Sequence, residues 1–324
     1  MSTKIRIAIT GYGNLGRGAE AAITQSPDLE LVAIVTRRDP ATVRPADPAT
    51  PVYRLDDVAD LRGTVDVMLC CGGSKEDLPV QGPLLASMFN IVDSYDTHAK
   101  IPDYFASVDA PARANGTTAV ISTGWDPGLF SLNRLMGEAI LPEGVTYTFW
   151  GRGLSQGHSD AVRRVAGVQY TIPSPEAVER AGSGERPELT TREKHTRHCY
   201  VVLAEGADAD TVEQAIITMP DYFVGYDTTV TFIDADTLAA DHDAMPHGGF
   251  VIRSASTADG HNHTMQFSLE LEHNPAFTAS VLVAYARAAH RMNQAGAVGA
   301  KTPFDVAPGL LSPRSPEDLR RDLL

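Results

Sequence analysis

The chain has 324 residues, more than a single hydrophobic core usually organises, so its length predicts two domains. Hydrophobic residues make up 43% of the chain and charged residues 21%, which is typical of a globular enzyme. The formal net charge is -14 and no long basic run offsets it, which argues against binding to a nucleic-acid backbone.

Cysteine usage and hydropathy indicate the cellular compartment of the protein. Cys70, Cys71 and Cys199 are the only cysteines and form no CxxC pair, which predicts reduced thiols with neither a disulfide framework nor a zinc site. The apolar residues near the N-terminus are too few and too interrupted by charge for a signal peptide. No apolar stretch approaches the roughly 20 residues that a membrane-spanning helix needs. The sequence therefore predicts a cytoplasmic protein without a metal, a membrane partner or a nucleic-acid partner.

Strands and helices alternate in the first third of the chain. Residues 5–10 form a β-rich run that stops at glycine, residues 15–25 have a helical pattern, and residues 31–36 form a second strand. This order is a βαβ unit. Further buried strands are predicted at 65–70, 91–93 and 119–121. The pattern predicts an α/β fold whose N-terminal Rossmann domain, residues 1–125, contains a doubly wound parallel sheet.

Longer, alternating strands follow Trp125. They are predicted at 146–150, 199–203, 228–233, 250–254 and 265–271. They indicate a second α+β domain over residues 126–299, built on an open mixed sheet. Residues 173–195 predict a surface connection around one helix, and residues 277–292 are apolar at helical spacing. The charged tail, about residues 300–324, is expected to pack back on the first domain.

A GxGxxG motif follows the first strand and opens the first helix. It consists of Gly11, Tyr12, Gly13, Asn14, Leu15 and Gly16. In a dinucleotide-binding turn the first glycine permits the tight turn, the second lets the pyrophosphate approach the backbone, and the third lets the helix pack on the strand. The helix N-terminus then offers free N–H groups to the phosphates. The alternative is a glycine-rich turn that binds nothing.

The tip of the second strand indicates which dinucleotide binds. An NAD enzyme usually carries Asp or Glu there for the ribose 2′-hydroxyl, whereas this chain has Thr36, Arg37 and Arg38. Arginine matches a phosphate bidentately, and the first carboxylate is Asp39. We therefore predict NADP as the cofactor. A solvated surface pair of arginines is the alternative.

Small residues follow the buried strand at 65–70. They are Cys71, Gly72, Gly73 and Ser74, and they would let the nicotinamide half of the cofactor lie close to the backbone. No histidine or asparagine nearby supports a nucleophilic cysteine. Packing is therefore the favoured role of the thiols.

Polar clusters follow the next two strands, where an open α/β sheet binds its ligand. The first is Asp93–His98 and the second is Ser122–Gly128. Asp96 and Asp126 could receive an ammonium group or accept its proton, which an amine-oxidising dehydrogenase needs because the nitrogen must be neutral before hydride leaves. Asp126 could instead be a helix N-cap. A third polar segment, residues 150–160, is predicted to line a cleft.

Five blocks of the chain together resemble the meso-diaminopimelate dehydrogenase family. They are Gly11–Arg17, Ser122–Gly128, Leu154–Asp160, Met219–Tyr226 and Met245–Gly249, and the match runs in order along essentially the whole chain. The resemblance implies reversible, NADP-dependent oxidative deamination of the D-centre of meso-diaminopimelate, in lysine biosynthesis. The implied products are L-2-amino-6-oxopimelate, which cyclises to tetrahydrodipicolinate, and ammonia. It also implies a homodimer, with the second domain serving substrate binding and dimerisation.

The resemblance also implies site residues. Cofactor contacts fall on the GxGxxG residues, on Thr36 to Arg38, on Cys71 to Ser74, and on Ser94, Tyr95, Asp96, Thr123, Gly124, Trp125, Asp126 and Pro127. Substrate contacts fall on Asp96, Asp126, Trp150, Gln156, Gly157, Asp160, Thr171, Arg197, His247 and Asn274. Arg197, Thr171 and His247 suit a carboxylate, and the three aspartates suit ammonium groups. Arg197 and Asn274 rest on the resemblance alone.

The segment between Arg164 and Gln169 is shorter than the family pattern, just before Thr171, which could change the cleft and widen the range toward other D-amino acids. The expected mechanism is hydride transfer from the D-centre Cα to nicotinamide, with Asp96 and Asp126 as the catalytic residues. Two rivals share the Rossmann start: a cyclic-imine reductase similar to dihydrodipicolinate reductase, and a non-catalytic NADP-binding sensor.

Overall fold

A computed structural model describes residues 4–154, 167–220, 223–242 and 244–324, with the backbone alone at residue 259. The chain divides into two compact units. The first consists of Met1–Leu132 and Pro275–Leu324, and the second of Asn133–Asn274.

A seven-stranded parallel sheet forms the centre of the first unit. Its strands, numbered in chain order, are β1 (Ile5–Thr10), β2 (Leu29–Thr36), β3 (Val52–Arg54), β4 (Val67–Cys70), β5 (Asn90–Asp93), β6 (Thr118–Val120) and the C-terminal β14 (Gly299–Lys301). They lie in the order β14-β6-β5-β4-β1-β2-β3, and every neighbouring pair is parallel. The strand order reverses between β1 and β4, which confirms the predicted doubly wound Rossmann sheet. The short strands β3 and β14 were not predicted.

Helices cover both faces of this sheet. They are α1 (Asn14–Thr24), α2 (Leu78–Ala86), α3 (Ile101–Asn115) and α9 (Asn274–Gln294). Successive strand residues point to opposite faces, so Ala8 packs in one apolar core with side chains of α2 and α3. Its neighbours Ile7 and Ile9 pack in the other core with side chains of α1 and α9.

The unit boundaries differ from the predicted domain boundaries at residues 125 and 299. All of α9 beyond Asn274 belongs to the first unit, because its apolar side chains, such as Leu282 and Ala286, are buried in the same core as Ile7 and Ile9. Arg287 of this helix donates to both carboxylate oxygens of Asp28 and to the backbone of Leu311. The end of the tail forms helix α10 (Pro316–Leu323).

Two sheets form the second unit, where the sequence predicted one. Its strands are β7 (Gly144–Trp150), β8 (Gly153–Leu154), β9 (Gly167–Pro173), β10 (His195–Val201), β11 (Asp227–Phe232), β12 (His247–Ser256) and β13 (Asn262–Leu271). Strands β11-β10-β9-β8 form a mixed sheet, in which only β10 and β11 are parallel. Strands β13-β12-β7 form an antiparallel sheet. In the antiparallel sheet β12 is the central strand, with β13 on one side and β7 on the other.

Five further α-helices are described. They are α4 (Leu129–Ile140), which crosses the unit boundary, α5 (Pro175–Gly182), α6 (Thr191–Lys194), α7 (Ala209–Ile217) and α8 (Ala235–Asp241). The predicted connection over 173–195 therefore contains two helices, and the hydroxyls of Ser174 and Thr190 cap their N-termini. In the described ranges, no helix combines the length and apolar character needed to cross a membrane.

Candidate active site

The GxGxxG turn joins β1 to α1 in the first unit. Gly11 has a φ of +90°, which favours glycine, and a Cβ there would lie 3.1 Å from the Cys71 carbonyl. A Cβ at Gly16 would overlap the Gly11 carbonyl oxygen, so this glycine lets the helix approach the turn. A Cβ at Gly13 would meet no atom within 4 Å. The turn therefore has open space before a helix N-terminus without a side-chain cap, as a pyrophosphate requires.

The side chain of Tyr12, inside this turn, is buried and hydrogen-bonded to another side chain of the protein. Its buried hydroxyl donates to the carboxylate of Glu20, which also accepts from the backbone N–H of Ala46 at 3.1 Å. Burial, together with Glu20, raises the pKa of Tyr12 to about 12. The backbone of Tyr12, rather than its side chain, is thus the part that can face a ligand.

The two arginines at the tip of β2 have different partners. Arg38 donates from Nη2 to the Tyr12 carbonyl at 2.8 Å, which ties the tip to the turn. Arg37 is largely exposed and pairs with Asp77 at 2.5 Å. Asp77 also accepts from the Gly73 N–H at 2.9 Å. Both guanidiniums keep further N–H groups, because each has five donors, so this donor set fits a ribose phosphate.

The small residues after β4 lie against the turn. Cys71 donates its N–H to the Thr10 carbonyl at 2.7 Å, and Ser74 Oγ accepts from the Asp96 N–H at 2.6 Å. Burial raises the pKa of the Cys71 thiol to about 12, and it also raises the pKa of the Cys70 thiol well above its usual value. A protonated thiol is a poor nucleophile, which favours the predicted packing role.

Asp93 ends β5 and joins the two polar clusters of the first unit. It is fully buried. Its Oδ1 accepts from the Tyr95 N–H at 3.0 Å and the Ser122 N–H at 2.9 Å, and its Oδ2 accepts from the Tyr104 hydroxyl at 2.6 Å. Burial raises its pKa to about 6, although these hydrogen bonds oppose the shift. Asp93 begins the first predicted polar cluster, but its sequence context predicted no role for it.

The two candidate catalytic carboxylates follow this network along the chain. Asp96 is exposed, in the loop after β5, and Asp126 is half-buried, in the loop after β6. Helix α4 begins at Leu129, so Gly128 rather than Asp126 precedes it as the cap residue. That position argues against the N-cap alternative for Asp126. Both loops start at the carboxyl edge of the parallel sheet, where ligands bind in this fold.

A buried arginine lies at the start of β10 in the second unit. Arg197 pairs in register with Thr171 of β9, and its Nη1 donates to the Thr171 hydroxyl. The guanidinium carbon lies 4.0 Å from the ring centroid of Tyr226, a cation–π contact. Arg197 is 5% exposed and its buried Nε has no partner. No carboxylate among the described residues forms an ion pair with it.

His195 supports Trp150 in the same unit. The two rings stack with centroids 5.7 Å apart, and the backbone N–H of Trp150 donates to His195 Nε2 at 2.9 Å. Burial lowers the pKa of His195 to about 4, with Arg197 and Lys194 adding to the shift. The imidazole is therefore neutral at neutral pH, as its acceptor role requires.

Of the other substrate contacts predicted in the second unit, the structure describes some and leaves others undescribed. His247 begins β12, and its Nδ1 accepts from the Gly248 N–H at 2.8 Å. Asn274 donates its N–H to the Met245 carbonyl at 2.8 Å. Gln156, Gly157 and Asp160 lie outside the described residues, as do Val165 and Ala166 of the shortened segment before Thr171.

Four residues were missed by sequence reasoning: Asp93, Tyr104, His195 and Tyr226. Asp93, His195 and Tyr226 each contact a predicted site residue that is distant in sequence, and Tyr104 stacks on Tyr95. Only Asp93 had a local signal, because a carboxylate is unusual at the end of a buried strand.

Comparisons with known proteins add to this geometry. Residues 124–273 match the model of the diaminopimelic acid dehydrogenase C-terminal domain. The meso-diaminopimelate D-dehydrogenase of Lysinibacillus sphaericus is 62% identical over 324 residues, covering 99% of each chain. The solved DAP dehydrogenase of C. glutamicum in complex with DAP is 48% identical, with a TM-score of 0.93, and all of both chains is covered.

A solved engineered D-amino acid dehydrogenase bound to NADP+ is also similar. It is 46% identical with a TM-score of 0.88, covering 99% of this chain and 100% of its own. The full-length match to the Lysinibacillus sphaericus enzyme, at 62% identity, is decisive for the family. The chain belongs to the meso-diaminopimelate D-dehydrogenase family.

Proposed function

We propose that the protein catalyses the reversible, NADP-dependent oxidative deamination of the D-centre of meso-diaminopimelate, as a step of lysine biosynthesis. The products are L-2-amino-6-oxopimelate, which cyclises to tetrahydrodipicolinate, and ammonia. The observation that carries the proposal is the buried Arg197, which has no carboxylate partner among the described residues. A buried cation without a counter-ion is costly, so this guanidinium suits an anionic ligand such as a substrate carboxylate.

NADP fits the first unit. The residues that would hold it are the GxGxxG turn, Thr36 to Arg38, Cys71 to Ser74, Ser94 to Asp96 and Thr123 to Pro127. The open space at Gly13 suits the pyrophosphate, and the two guanidiniums suit the 2′-phosphate. The engineered relative bound to NADP+ supports the same assignment.

Replacing Arg37 with alanine should weaken the preference for NADP. Charge-assisted hydrogen bonds contribute about 1.5–3 kcal/mol each, so kcat/KM with NADP should fall roughly 10- to 100-fold. The value with NAD should change less than about threefold, because NAD lacks the phosphate. Initial rates with both cofactors measure the ratio.

The control is Arg113→Ala, which removes another largely exposed arginine, paired with Asp109 on α3. That variant should leave both values unchanged. A wild-type preference for NAD, or a preference for NADP that Arg37→Ala leaves intact, would contradict the assignment.

The reacting nitrogen needs a group that removes its proton. When bound, NADP supplies the nicotinamide that takes up the hydride from the D-centre Cα. Asp96 and Asp126 would bind the substrate ammonium, accept its proton directly or through water, and order the water that hydrolyses the resulting imine. Trp150, Thr171, Arg197, His247 and Asn274 would orient the substrate in the second unit, with Gln156, Gly157 and Asp160.

Two other reactions fit part of the same geometry. A broader D-amino acid dehydrogenase would use the same carboxylates, whereas a cyclic-imine reductase would reduce the closed ring without ammonia. NADPH oxidation in the presence of tetrahydrodipicolinate should therefore require ammonium. Oxidation at the same rate without ammonium would favour the reductase and contradict the proposed deamination.

We also propose that the chain is a homodimer whose second unit forms the interface. Leu135, Met136 and Ile140 of α4, with Val145 of β7, are large apolar side chains left exposed in that unit. Exposed apolar clusters of this kind mark protein contacts. Sedimentation equilibrium should give twice the chain mass of 34.7 kDa, and a value equal to the chain mass would contradict the dimer.

A further inference from the structure

The Asp93 side chain accepts hydrogen bonds from three separate parts of the chain. Its side chain bonds to its own loop at Tyr95, to the next loop at Ser122 and to α3 at Tyr104. Its backbone carbonyl accepts from both the N–H and the hydroxyl of Thr123, at 2.9 and 2.8 Å. One residue thus connects the loop that carries Asp96 with the loop that carries Asp126.

The loop after β6 has a conformation that needs this support. Ser122 has a φ of 56°, in the left-handed region that residues other than glycine rarely occupy. Such a conformation persists where the surrounding structure holds it. The Ser122 N–H donates to Asp93 Oδ1 in this conformation, so the buried carboxylate stabilises the turn that leads to Asp126.

Helix α2 leaves room for the third partner. Tyr104 stacks on Tyr95 with ring centroids 4.0 Å apart, while its hydroxyl reaches Asp93. Gly82, inside α2, lies directly against that hydroxyl, where a Cβ would overlap it. Glycine in a helix interior costs about 1 kcal/mol relative to alanine. Glycine at position 82 therefore makes α2 less stable, but it leaves the space that the Tyr104 hydroxyl needs to reach Asp93.

We propose that Asp93 is a positioning residue that holds the loops of Asp96 and Asp126 in fixed relation for deamination. This inference rests on the proposed function for its kinetic consequence and on the hydrogen bonds above for its structural consequence. The carboxylate is needed because an apolar side chain of similar size would leave three donors buried without acceptors. Ionised acceptors also form hydrogen bonds about twice as strong as neutral ones.

The test uses Asp93→Asn, which keeps the size and removes the charge. We expect kcat to fall about tenfold or more and the KM for NADP to rise by less, because the turn and the arginines that would hold the phosphates lie outside both loops. The rate of hydrogen exchange should rise about tenfold at the backbone N–H groups of Tyr95 and Ser122, and it should not change in the strands of the sheet. Tyr104→Phe removes one of the three donors and should change both readouts in the same direction by less.

The matched control is Asp66→Asn. Asp66 precedes β4, at the opposite edge of the sheet, and accepts from Arg6 at 2.6 Å and 2.8 Å. The Asp66→Asn variant should have lower thermal stability, whereas its kcat and the hydrogen exchange of both loops should equal those of the wild type. Wild-type kcat and wild-type exchange in Asp93→Asn would overturn the inference, as would equal exchange changes in the Asp66 control. If the wild-type enzyme does not oxidise meso-diaminopimelate, the exchange experiment still decides the positioning role.

Discussion

Asp126→Ala is expected to lower kcat for meso-diaminopimelate oxidation by about 100- to 10,000-fold, the usual effect of removing a general base. Asp96→Ala should act in the same direction. The Kd of NADPH should change by less than about threefold in both variants, because the phosphates are bound by the turn and by arginines.

The physical reason is the protonation state of the substrate. An amino acid at neutral pH carries an ammonium group, and hydride cannot leave its Cα until the nitrogen holds a lone pair. Asp126 is half-buried after β6 and Asp96 is exposed after β5, so one or both can receive that proton. Asp126→Asn keeps a hydrogen-bonding group without basicity and should be nearly as slow as Asp126→Ala.

Asp57→Ala is the matched control. Asp57 is an exposed carboxylate of the same unit, in a short helix after β3, and its loss changes the net charge equally. Its kcat should stay at the wild-type value. Near-normal turnover in both Asp96→Ala and Asp126→Ala would end the assignment of these residues as catalytic.

The second large effect is expected at Arg197, where Arg197→Leu should raise the KM for meso-diaminopimelate about 100-fold or more. Truncating one partner of a buried, hydrogen-bonded charge pair costs about 2–5 kcal/mol, and a tenfold change corresponds to about 1.4 kcal/mol. Arg197→Lys keeps the charge and loses both the planar fork and the stacking on Tyr226, so its KM should be intermediate. Steady-state kinetics measure both.

Arg253 provides an unusually close control in the same unit. It is also 5% exposed, but its guanidinium donates to the Leu141 and Pro142 carbonyls and to the Thr146 hydroxyl. Arg253→Leu should therefore lower thermal stability and leave KM nearly unchanged. Arg197→Leu should instead raise KM and leave thermal stability nearly unchanged, since no described carboxylate pairs with the charge it removes. A large loss of stability at Arg197 with unchanged KM would make that arginine structural.

Local signals predicted the first unit well. The turn between β1 and α1 is defined by glycines whose roles depend on neighbouring residues, and the alternation of β1 is visible in its six residues. The three-residue strands β3 and β14 carry no such pattern. Helix α9 was recognised from its periodicity, but periodicity does not say which sheet an apolar face packs against.

Strand pairing limited the prediction of the second unit. The sequence indicated most of its strands, but two sheets form because of long-range partners such as β7 and β12, which no local pattern encodes. The same limit applies to the site. Arg197 was named only through the family resemblance, while Asp93 and His195 act through bonds to residues 29 and 45 positions away.

The central claim is that the D-centre of meso-diaminopimelate transfers hydride to NADP and then loses its nitrogen as ammonia when water hydrolyses the imine. The most direct measurement follows the absorbance of reduced nicotinamide while NADP is incubated with meso-diaminopimelate, its L,L isomer or D-alanine at equal concentration. We predict rapid reduction with the meso isomer, none with the L,L isomer, which lacks a D-centre, and little with D-alanine, which lacks the distal carboxylate and ammonium. Equal rates with the meso and L,L isomers, or no reduction with either, would contradict the account.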